Sequence, residues 1–282
     1  MKNNILYFFR LIKELFCFKK IDNNVIFDFS QKEKFKVMTF NIRRDVPGDA
    51  ANNWQYRRDS IIEMIQEYQP DIICFQEVMP TMAKFLIHKL GNYYDNSGVE
   101  IFTNREMSKS CFIFGEGLLT MWRKDIFKRE KKKKIVKLFD GRKINLRRFM
   151  DVELIHKESN KKIHVINTHF CHKSKDAQNK SWVVLKNYVK DFERFYACGD
   201  YNTDKTYRNV KIHLMMDDYS YNYKKKPSDT TISDYGNKEN TGEVIDYIFS
   251  NNKLNDFEII TKKYNNRYLS DHFGVINTYD NF

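Results

Sequence analysis

The feature that most constrains this chain is a series of short apolar segments that begins at Phe35 and runs on with no Pro- or Ser-rich break. From Phe35 onward, helical periodicity is found at Trp54–Tyr68, Pro80–Leu90 and Asp176–Phe192. The remaining apolar segments predict strands at Phe35–Ile42, Asp71–Glu77, Gly117–Arg123, Arg147–Ile155, Lys162–Thr168, Phe195–Tyr201, Val244–Ser250 and Phe273–Thr278. Many strands with a helix after some of them predict a core of two sheets with helices outside. We therefore assign residues 35–282 to one domain.

Residues 1–34 are expected to form an N-terminal amphipathic helix followed by a polar linker. The apolar stretch Ile5–Phe18 is too short to span a bilayer. Arg10 interrupts what would be the apolar region of a signal peptide, and no small-residue cleavage site follows. Two interpretations stay open. The helix docks on the rest of the chain, which we favour slightly, or it lies on a membrane surface through residues 5–18.

The charge balance favours a polyanionic partner. Lys and Arg number 49 against 37 Asp and Glu, a formal net charge of +12. Nucleic acid, an anionic membrane or a phosphorylated substrate would each suit this excess. Lys and Asn are abundant throughout, however, so part of the charge is compositional. The basic run Lys128–Lys137 predicts a solvated hairpin, with a phosphate-tracking patch as the alternative.

Polar residues recur where the predicted strands end. The sequence Gly199-Asp200-Tyr201-Asn202 places a carboxylate and an amide two residues apart, hence on one face of a strand. Alone, this sequence is also a good turn. The other such positions are Asn41, Glu77, His169, Asp246 and Asp271-His272. Acid and amide oxygens without cysteine predict a site for a hard cation, Mg²⁺ or Mn²⁺.

Together these positions resemble the endonuclease/exonuclease/phosphatase superfamily. The resemblance covers roughly residues 35–280 and includes a group of bacterial members. It is carried by Thr39-Phe40-Asn41, Gln76-Glu77, Asn167-Thr168-His169, Gly199-Asp200-Tyr201-Asn202, Ile245-Asp246-Tyr247 and Ser270-Asp271-His272. It implies a four-layered α/β sandwich, in which two mostly antiparallel sheets pack face to face with helices outside.

The resemblance also implies a role for each matched residue. Glu77 with Asn41 would hold the divalent metal, and Asp271 would join them directly or through water. Asp200 would orient or deprotonate the attacking water, and Asn202 would donate to the phosphate.

The two histidines of the resemblance are expected to act on the phosphate. His272 would contact the scissile phosphate, held in its tautomer by Asp246. His169 would stabilise the phosphate or protonate the leaving oxygen, with Glu116 of the looser Gly115-Glu116-Gly117 motif as its partner.

Three arginines are candidate substrate-binding residues. Arg43 stands where some related abasic-site endonucleases carry an acid, which weakens a two-metal site and adds a cation for phosphate. Arg147 and Arg148 stand where relatives place a substrate-facing arginine, and a solvent-facing pair on a strand is an equal alternative.

We therefore expect a metal-dependent phosphoesterase in which water attacks phosphorus in line, and nucleic acid is the preferred substrate. A phosphatase or a phospholipase C-like hydrolase of small phosphorylated sugars or lipid headgroups is the alternative. A binding module without catalysis is disfavoured because every acid, amide and histidine position is kept. No protein partner is inferred. A cytoplasmic location is expected, while membrane association and secretion stay open.

Overall fold

The computed structural model describes residues 2–17, 24–30, 32, 34–101, 115–141 and 147–280. Its helices are α1 (Lys2–Cys17), α2 (Trp54–Tyr68), α3 (Pro80–Leu90), α4 (Lys175–Val189) and the single-turn α5 (His213–Met216). Its strands are β1 (Phe35–Asn41), β2 (Ile72–Val78), β3 (Tyr94–Asn96), β4 (Glu100–Ile101), β5 (Gly117–Arg123), β6 (Phe127–Arg129), β7 (Lys134–Lys137), β8 (Arg148–His156), β9 (Lys162–His169), β10 (Phe195–Asp200), β11 (Ser220–Tyr221), β12 (Asp246–Ser250), β13 (Asp256–Ile260) and β14 (Gly274–Tyr279).

The strands form two sheets, and both are mostly antiparallel. The first has the order β13-β14-β1-β2-β5-β3, with β4 also paired to β5. The second has the order β11-β12-β10-β9-β8-β6, with β7 also paired to β8. Each sheet has a parallel pair near its centre, β1 with β2 and β9 with β10. The predicted class, two mostly antiparallel sheets in an α/β sandwich, is confirmed.

Helices cover the outer faces of both sheets, and side chains from the inner faces meet between them. α2 and α3 pack on the first sheet, α1 packs against α3, and α4 packs on the second sheet. The interior between the sheets is built from apolar side chains of both, including Val37, Cys74, Trp122, Val165, Cys198 and Ile248. Burial of these alternate strand positions accounts for the four layers.

A buried polar contact crosses from one sheet to the other. Gln76 on β2 donates through Nε2 to Oδ1 of Asn167 on β9, at 2.8 Å. Gln76 also donates to Oγ1 of Thr39 at 3.1 Å, and Asn167 donates to the carbonyl of Phe75 at 3.1 Å. All three polar side chains are fully buried. Because unpaired amides are costly in such an interior, this contact favours a single alignment of the two sheets.

The basic run does not form the predicted hairpin. β6 and β7 both pair with β8 and form two parts of one broken edge. Lys131 and Lys133 within the break pair with Glu153 and Glu100, at 3.3 Å in each case. Lys131 is thus paired with β8 of its own sheet, and Lys133 is paired with β4 of the other sheet.

Several short elements escaped sequence reasoning. β13 adds an edge strand beside β14, although Val244–Ser250 and Phe273–Thr278 were expected to be the last two strands. Its charged residues Asp256 and Glu258 alternate with half-buried ones, so its apolar signal is weak. α4 ends at Val189 rather than Phe192. The short strands β3, β4, β6, β7 and β11 were also missed because they are only two to four residues long.

α1 docks on the body of the chain. Arg10 forms an ion pair with Asp45 at 2.5 Å, and Leu11 is fully buried. Glu14 pairs with Arg58 on α2 at 3.5 Å. The structure therefore shows the first interpretation, in which the helix docks on the rest of the chain. In the described part of the chain, no helix has the length and apolar character needed to cross a membrane. The domain boundary that the sequence predicts between residues 34 and 35 stays a prediction.

The cross-sheet contact can be tested by Asn167→Ala, which leaves the buried amide of Gln76 without this acceptor. We expect the free energy of unfolding to fall by about 2 kcal/mol, or roughly 4–8 °C in Tm. Thermal unfolding followed by circular dichroism measures the change. Asn255→Ala, at an exposed position, is the matched control. Equal melting of both variants and the unmodified chain would show that the contact does not stabilise the sandwich.

Candidate active site

The strand-end residues predicted from the sequence meet at one end of the sandwich. They come from both sheets rather than from the edge of a single one. The first sheet supplies Asn41, Glu77, Asp271 and His272, and the second supplies His169, Asp200, Asn202 and Asp246. Because parallel neighbours run in the same direction, the parallel pair in each sheet delivers two strand ends to the same place.

Asn41 joins the two halves of the site. Its Nδ2 donates to Oε1 of Glu77 at 3.2 Å and to Oδ2 of Asp200 at 3.0 Å. Its Oδ1 accepts the backbone N–H of Arg43 at 3.1 Å. Ser270 donates to the Asn41 carbonyl at 2.7 Å, which ties the segment before β14 to the end of β1. One buried amide thus fixes a carboxylate from each sheet.

Glu77 enters the site through a break in strand regularity. The pairing of β2 with β5 shifts register between Phe75 and Val78. Within this shift Glu77 has φ +59°, a left-handed conformation that costs free energy for a residue with a side chain. Its Oε2 accepts the backbone N–H of Arg44 at 3.1 Å. Burial alone would raise the pKa of Glu77, but this hydrogen bond and the charge of Arg43 lower it, so the carboxylate is ionised.

Asp271 faces the same region from the other side. Its Oδ1 accepts the hydroxyl of Ser270 at 3.1 Å, and its Oδ2 lies 3.5 Å from Nη1 of Arg43. Burial raises the pKa of Asp271, and the negative charge of Glu77 adds to the rise. The two carboxylates therefore repel each other, with Arg43 as a partial counter-charge. Arg43 is itself held by Asp49, at 3.2 Å.

Asp200 is the best connected of the buried carboxylates. Besides Asn41, its Oδ1 accepts the backbone N–H of Asn202 at 2.9 Å. Its Oδ2 lies 3.3 Å from Nε2 of His169 and 3.8 Å from Nε2 of His272. Burial and the charge of Asp246 raise the pKa of Asp200 to about 7. A carboxylate in this environment accepts a proton far more readily than an exposed one.

His272 and Asp246 form a buried pair. Nδ1 of His272 lies 3.0 Å from Oδ2 of Asp246. Burial would lower the pKa of His272, but Asp246 and Asp200 outweigh it and raise the pKa well above the usual value. The ring is therefore held as a cation with Nδ1 donating to Asp246 and Nε2 directed toward Asp200.

His169 has the opposite electrostatic environment. Burial, then the charges of Arg147, His272 and His172, lower its pKa well below the usual value. The partner expected at Glu116 is absent, because Nδ1 of His169 has no hydrogen bond among the described residues. Glu116 instead lies 3.6 Å from Arg44. Burial and the charge of Glu77 raise the pKa of Glu116 to about 7.

The arginines expected at the substrate divide into two groups. Arg147 is buried beside His169, and its Nη2 lies 3.4 Å from Nδ1 of His172. Arg148 points elsewhere, since its Nη1 donates to Glu100 at 2.8 Å. Arg148 is thus occupied by Glu100, whereas the charge of Arg147, which precedes β8, lies close enough to His169 to lower the pKa of that ring.

The sequence profile of the endonuclease/exonuclease/phosphatase family matches residues 38–272. The chain belongs to this family. It is accordingly a phosphoric ester hydrolase, and the family generally uses a divalent metal. No curated protein matches the sequence significantly.

Solved structures share the fold of this family member at low sequence identity. The endonuclease/exonuclease/phosphatase from Bacteroides vulgatus is 24% identical, has a TM-score of 0.73, and aligns over 88% of this chain and 98% of its own. A mannosyl-6-phosphatase from Bacteroides thetaiotaomicron is 20% identical, with a TM-score of 0.70 over 86% and 98%. D. rerio TDP2 complexed with a single-strand DNA product is 16% identical, with a TM-score of 0.66 over 88% and 99%.

Two groups of side chains in this family member can be considered for the metal. The carboxylates of Glu77 and Asp271 and the remaining lone pair of Asn41 Oδ1 offer oxygen only, which suits a hard cation. Asp200, Asp246 and His272 also place one ligand atom each within 4.8 Å of one another. In the second group Nδ1 of His272 already lies 3.0 Å from Oδ2 of Asp246, which leaves Nε2 as its ligand atom. The oxygen-only donors of the first group are the better chemical match to a hard cation.

Arg44 and Arg57 are the residues whose roles sequence reasoning missed. Arg44 holds Glu77 through its backbone and faces Glu116 through its side chain. Arg57 on α2 is fully buried and donates to the carbonyls of Ile42 at 2.8 Å and Leu269 at 2.5 Å. It thereby fixes the segments that carry Arg43 and Asp271. In the sequence, the only sign that Arg57 is buried is its position one turn into an amphipathic helix.

Proposed function

We propose that this enzyme hydrolyses a phosphodiester of nucleic acid by in-line attack of water, assisted by a divalent cation, Mg²⁺ or Mn²⁺. One observation is the main support for this reaction. The amide of Asn41 binds a carboxylate of each sheet, and the second of these, Asp200, faces both His169 and His272. A proton acceptor, two imidazoles and an oxygen-rich cation site thus lie side by side.

The cation would be held by Glu77, Asp271 and the side-chain oxygen of Asn41. When bound, it supplies positive charge to the phosphate and to the leaving oxygen. The repulsion between the two carboxylates supports this assignment, because a cation relieves it while Arg43 does so only in part.

The residues of the second sheet would act on water and phosphate. Asp200 accepts a proton from the attacking water as the new oxygen–phosphorus bond forms and the bond to the leaving oxygen breaks. The side-chain amide of Asn202, which already donates to the carbonyl of Phe170 at 3.2 Å, has a second hydrogen for a phosphate oxygen.

The imidazoles would stabilise the charge that develops on the phosphate. His272, kept cationic by Asp246, contacts the scissile phosphate. His169 supplies a neutral hydrogen-bond donor, so of its two expected roles we assign phosphate stabilisation rather than protonation of the leaving oxygen. Glu116 acts through Arg44 instead of through His169.

Positive charge supports nucleic acid as the substrate. Arg43 and Arg44 leave the site toward solvent with side chains 32% and 44% exposed, and the whole chain carries +12. Extended phosphate backbones are bound by such surfaces. Arg148 is withdrawn from the proposed contacts by its pairing with Glu100.

A phosphomonoester of a small sugar is the second candidate. Arg147 is almost fully buried, and its Nε and Nη1 have no hydrogen bond among the described residues. A buried guanidinium that keeps these two N–H groups for a ligand suits a terminal phosphate dianion. The fold likeness to a mannosyl-6-phosphatase agrees with this candidate.

The substrate assignment is tested with a panel of plasmid DNA, single-stranded DNA, RNA, sphingomyelin, inositol phosphates and sugar phosphates, each with Mg²⁺ or Mn²⁺. We expect cleavage of nucleic acid, and its rate at low substrate should fall steeply with added salt because phosphate contacts release counter-ions. Phosphate release from monoesters alone would overturn the nucleic-acid assignment in favour of the second candidate.

Catalytic roles are tested by Asp200→Ala and His272→Ala. Each should lower kcat by about 10² or more with little change in Tm, since each removes a group that acts on the reacting atoms. His213→Ala, at an exposed position outside the site, is the matched control for the histidine. Activity that survives either active-site change would show that the role is assigned to the wrong residue.

The metal assignment is tested by calorimetric titration with Mn²⁺. Glu77→Gln keeps the shape of the side chain but removes its charge, so the Kd should rise about ten-fold or more. Glu158→Gln on the exposed turn between β8 and β9 should leave the Kd unchanged. An unchanged Kd in Glu77→Gln together with loss of binding in Asp246→Asn would place the cation at the other group.

A further inference from the structure

α1 is attached to the body through its polar residues. Arg10 donates to the side-chain oxygens of Asn53 and Gln55, at 2.9 Å each, in addition to pairing with Asp45. Glu14 pairs with Arg58, one helical turn further along. Residues three to four apart share a helix face, so this polar face is the one turned inward, with Leu11 beside it.

The opposite face of α1 presents large apolar side chains to solvent. Leu6 is 69% exposed, Phe9 is 63% exposed and Phe16 is 72% exposed. Lys13 lies among them and is also exposed. These four residues recur at helical spacing and form one stripe, which we call the outer stripe. An amphipathic helix that buries its charges and exposes its aromatics is inverted relative to ordinary docking on a protein core.

The outer stripe is concentrated apolar surface rather than a scatter of single residues. Seven large hydrophobic side chains are exposed in the described part of the chain, and four of them belong to α1: Leu6, Phe8, Phe9 and Phe16. A contiguous exposed apolar surface of this kind marks an interaction site.

Charge on and around α1 is positive where it is exposed. Glu14 is the only acid of the helix, and it is turned inward and paired. Lys13 stands within the outer stripe, and the ammonium of Lys84 on α3 donates to the carbonyl of Leu15 next to Phe16. Asp59, an exposed acid on α2, lies 3.8 Å from the guanidinium of Arg58. The outer stripe therefore combines apolar side chains with the cation of Lys13.

We propose that α1 is an interfacial helix that binds the surface of an anionic lipid bilayer through the outer stripe. Leu6, Phe9 and Phe16 enter the boundary between headgroups and acyl chains, while Lys13 stays at the level of the lipid phosphates. An anionic bilayer fits better than a protein groove because apolar side chains and a lysine share one stripe, while Glu14, the one acid of the helix, is turned inward and paired. The helix docks and binds lipid at once, using opposite faces.

The bound helix would bring the active site close to the bilayer. Tyr7 donates to the carbonyl of Asp45, and Arg10 holds the carboxylate of the same residue. Asp45 directly follows Arg43 and Arg44, which contact Asp271, Glu77 and Glu116. The outer stripe is thus one layer of contacts away from the segment that borders the site. This inference does not depend on which phosphate ester the enzyme hydrolyses.

The test is co-sedimentation of the full chain with sucrose-loaded vesicles of phosphatidylcholine, with and without phosphatidylglycerol. We expect binding to the mixed vesicles and much weaker binding to phosphatidylcholine alone. The double variant Phe9→Ser/Phe16→Ser should weaken binding about ten-fold or more, because two aromatic side chains no longer enter the interface. Lys13→Glu should weaken binding to the anionic vesicles about five-fold or more.

Phe139→Ser is the matched control, because Phe139 is another exposed phenylalanine that lies far along the chain from α1. It should bind vesicles like the unmodified chain. Thermal unfolding of every variant checks that none is destabilised, as expected for exposed positions. Absence of vesicle binding, or binding that Phe9→Ser/Phe16→Ser leaves intact, would overturn the proposal. Sedimentation velocity that shows a dimer lost in the double variant, without vesicle binding, would instead assign the stripe to a second copy of the chain.

Discussion

The hydrogen bond between Gln76 and Asn167 sets the geometry on which the site depends. It crosses an otherwise apolar interior, so a shift of one sheet against the other would leave buried amides unpaired. Each partner lies next to a site residue along its own strand. His169 follows Asn167 by two positions and shares its face, whereas Glu77 follows Gln76 directly and should face the helices instead. The register shift and the positive φ at Glu77 redirect that side chain, which explains why backbone strain is placed there.

The alignment of the sheets gives two chemically identical histidines opposite charge states. His272 lies against Asp246 and Asp200 and is held as a cation, while His169 lies near Arg147 and is held neutral. Asp200 stands between them, and burial raises its pKa. A cation, a neutral donor and a proton acceptor thus arise from ordinary side chains through their neighbours alone. The sandwich produces this difference because β10 and β12 place Asp200 and Asp246 against His272, while Arg147, just before β8, lies beside His169.

Sequence reasoning captured the elements whose signals are local. Strand ends with polar residues, such as Asn41 and Asp200, were found because an apolar run followed by a carboxylate or amide is visible in the chain itself. Contacts that depend on tertiary packing were not found in this way. Glu116 was assigned to His169 from the family resemblance, yet its neighbour is Arg44, because a contact between segments distant in sequence is not encoded in the spacing of motifs. The short edge strands were missed for a related reason, because two to four residues carry too little periodicity to be distinguished from loops.

The density of charge along the sequence is likewise a poor guide to where charge lies in the folded chain. A run of lysines at 128–137 is the most basic feature of the sequence, but in the folded chain Lys131 and Lys133 are matched by glutamates from neighbouring strands. Exposed ion pairs of this kind contribute little stability, but they offset part of the positive charge of the run. In the proposed function, the arginines around the site supply positive charge to the phosphate. Arg43 and Arg44 lie there because the buried Arg57 holds the carbonyls of that segment. The position of this charge is therefore set by hydrogen bonds to the backbone and not by the density of basic residues along the sequence.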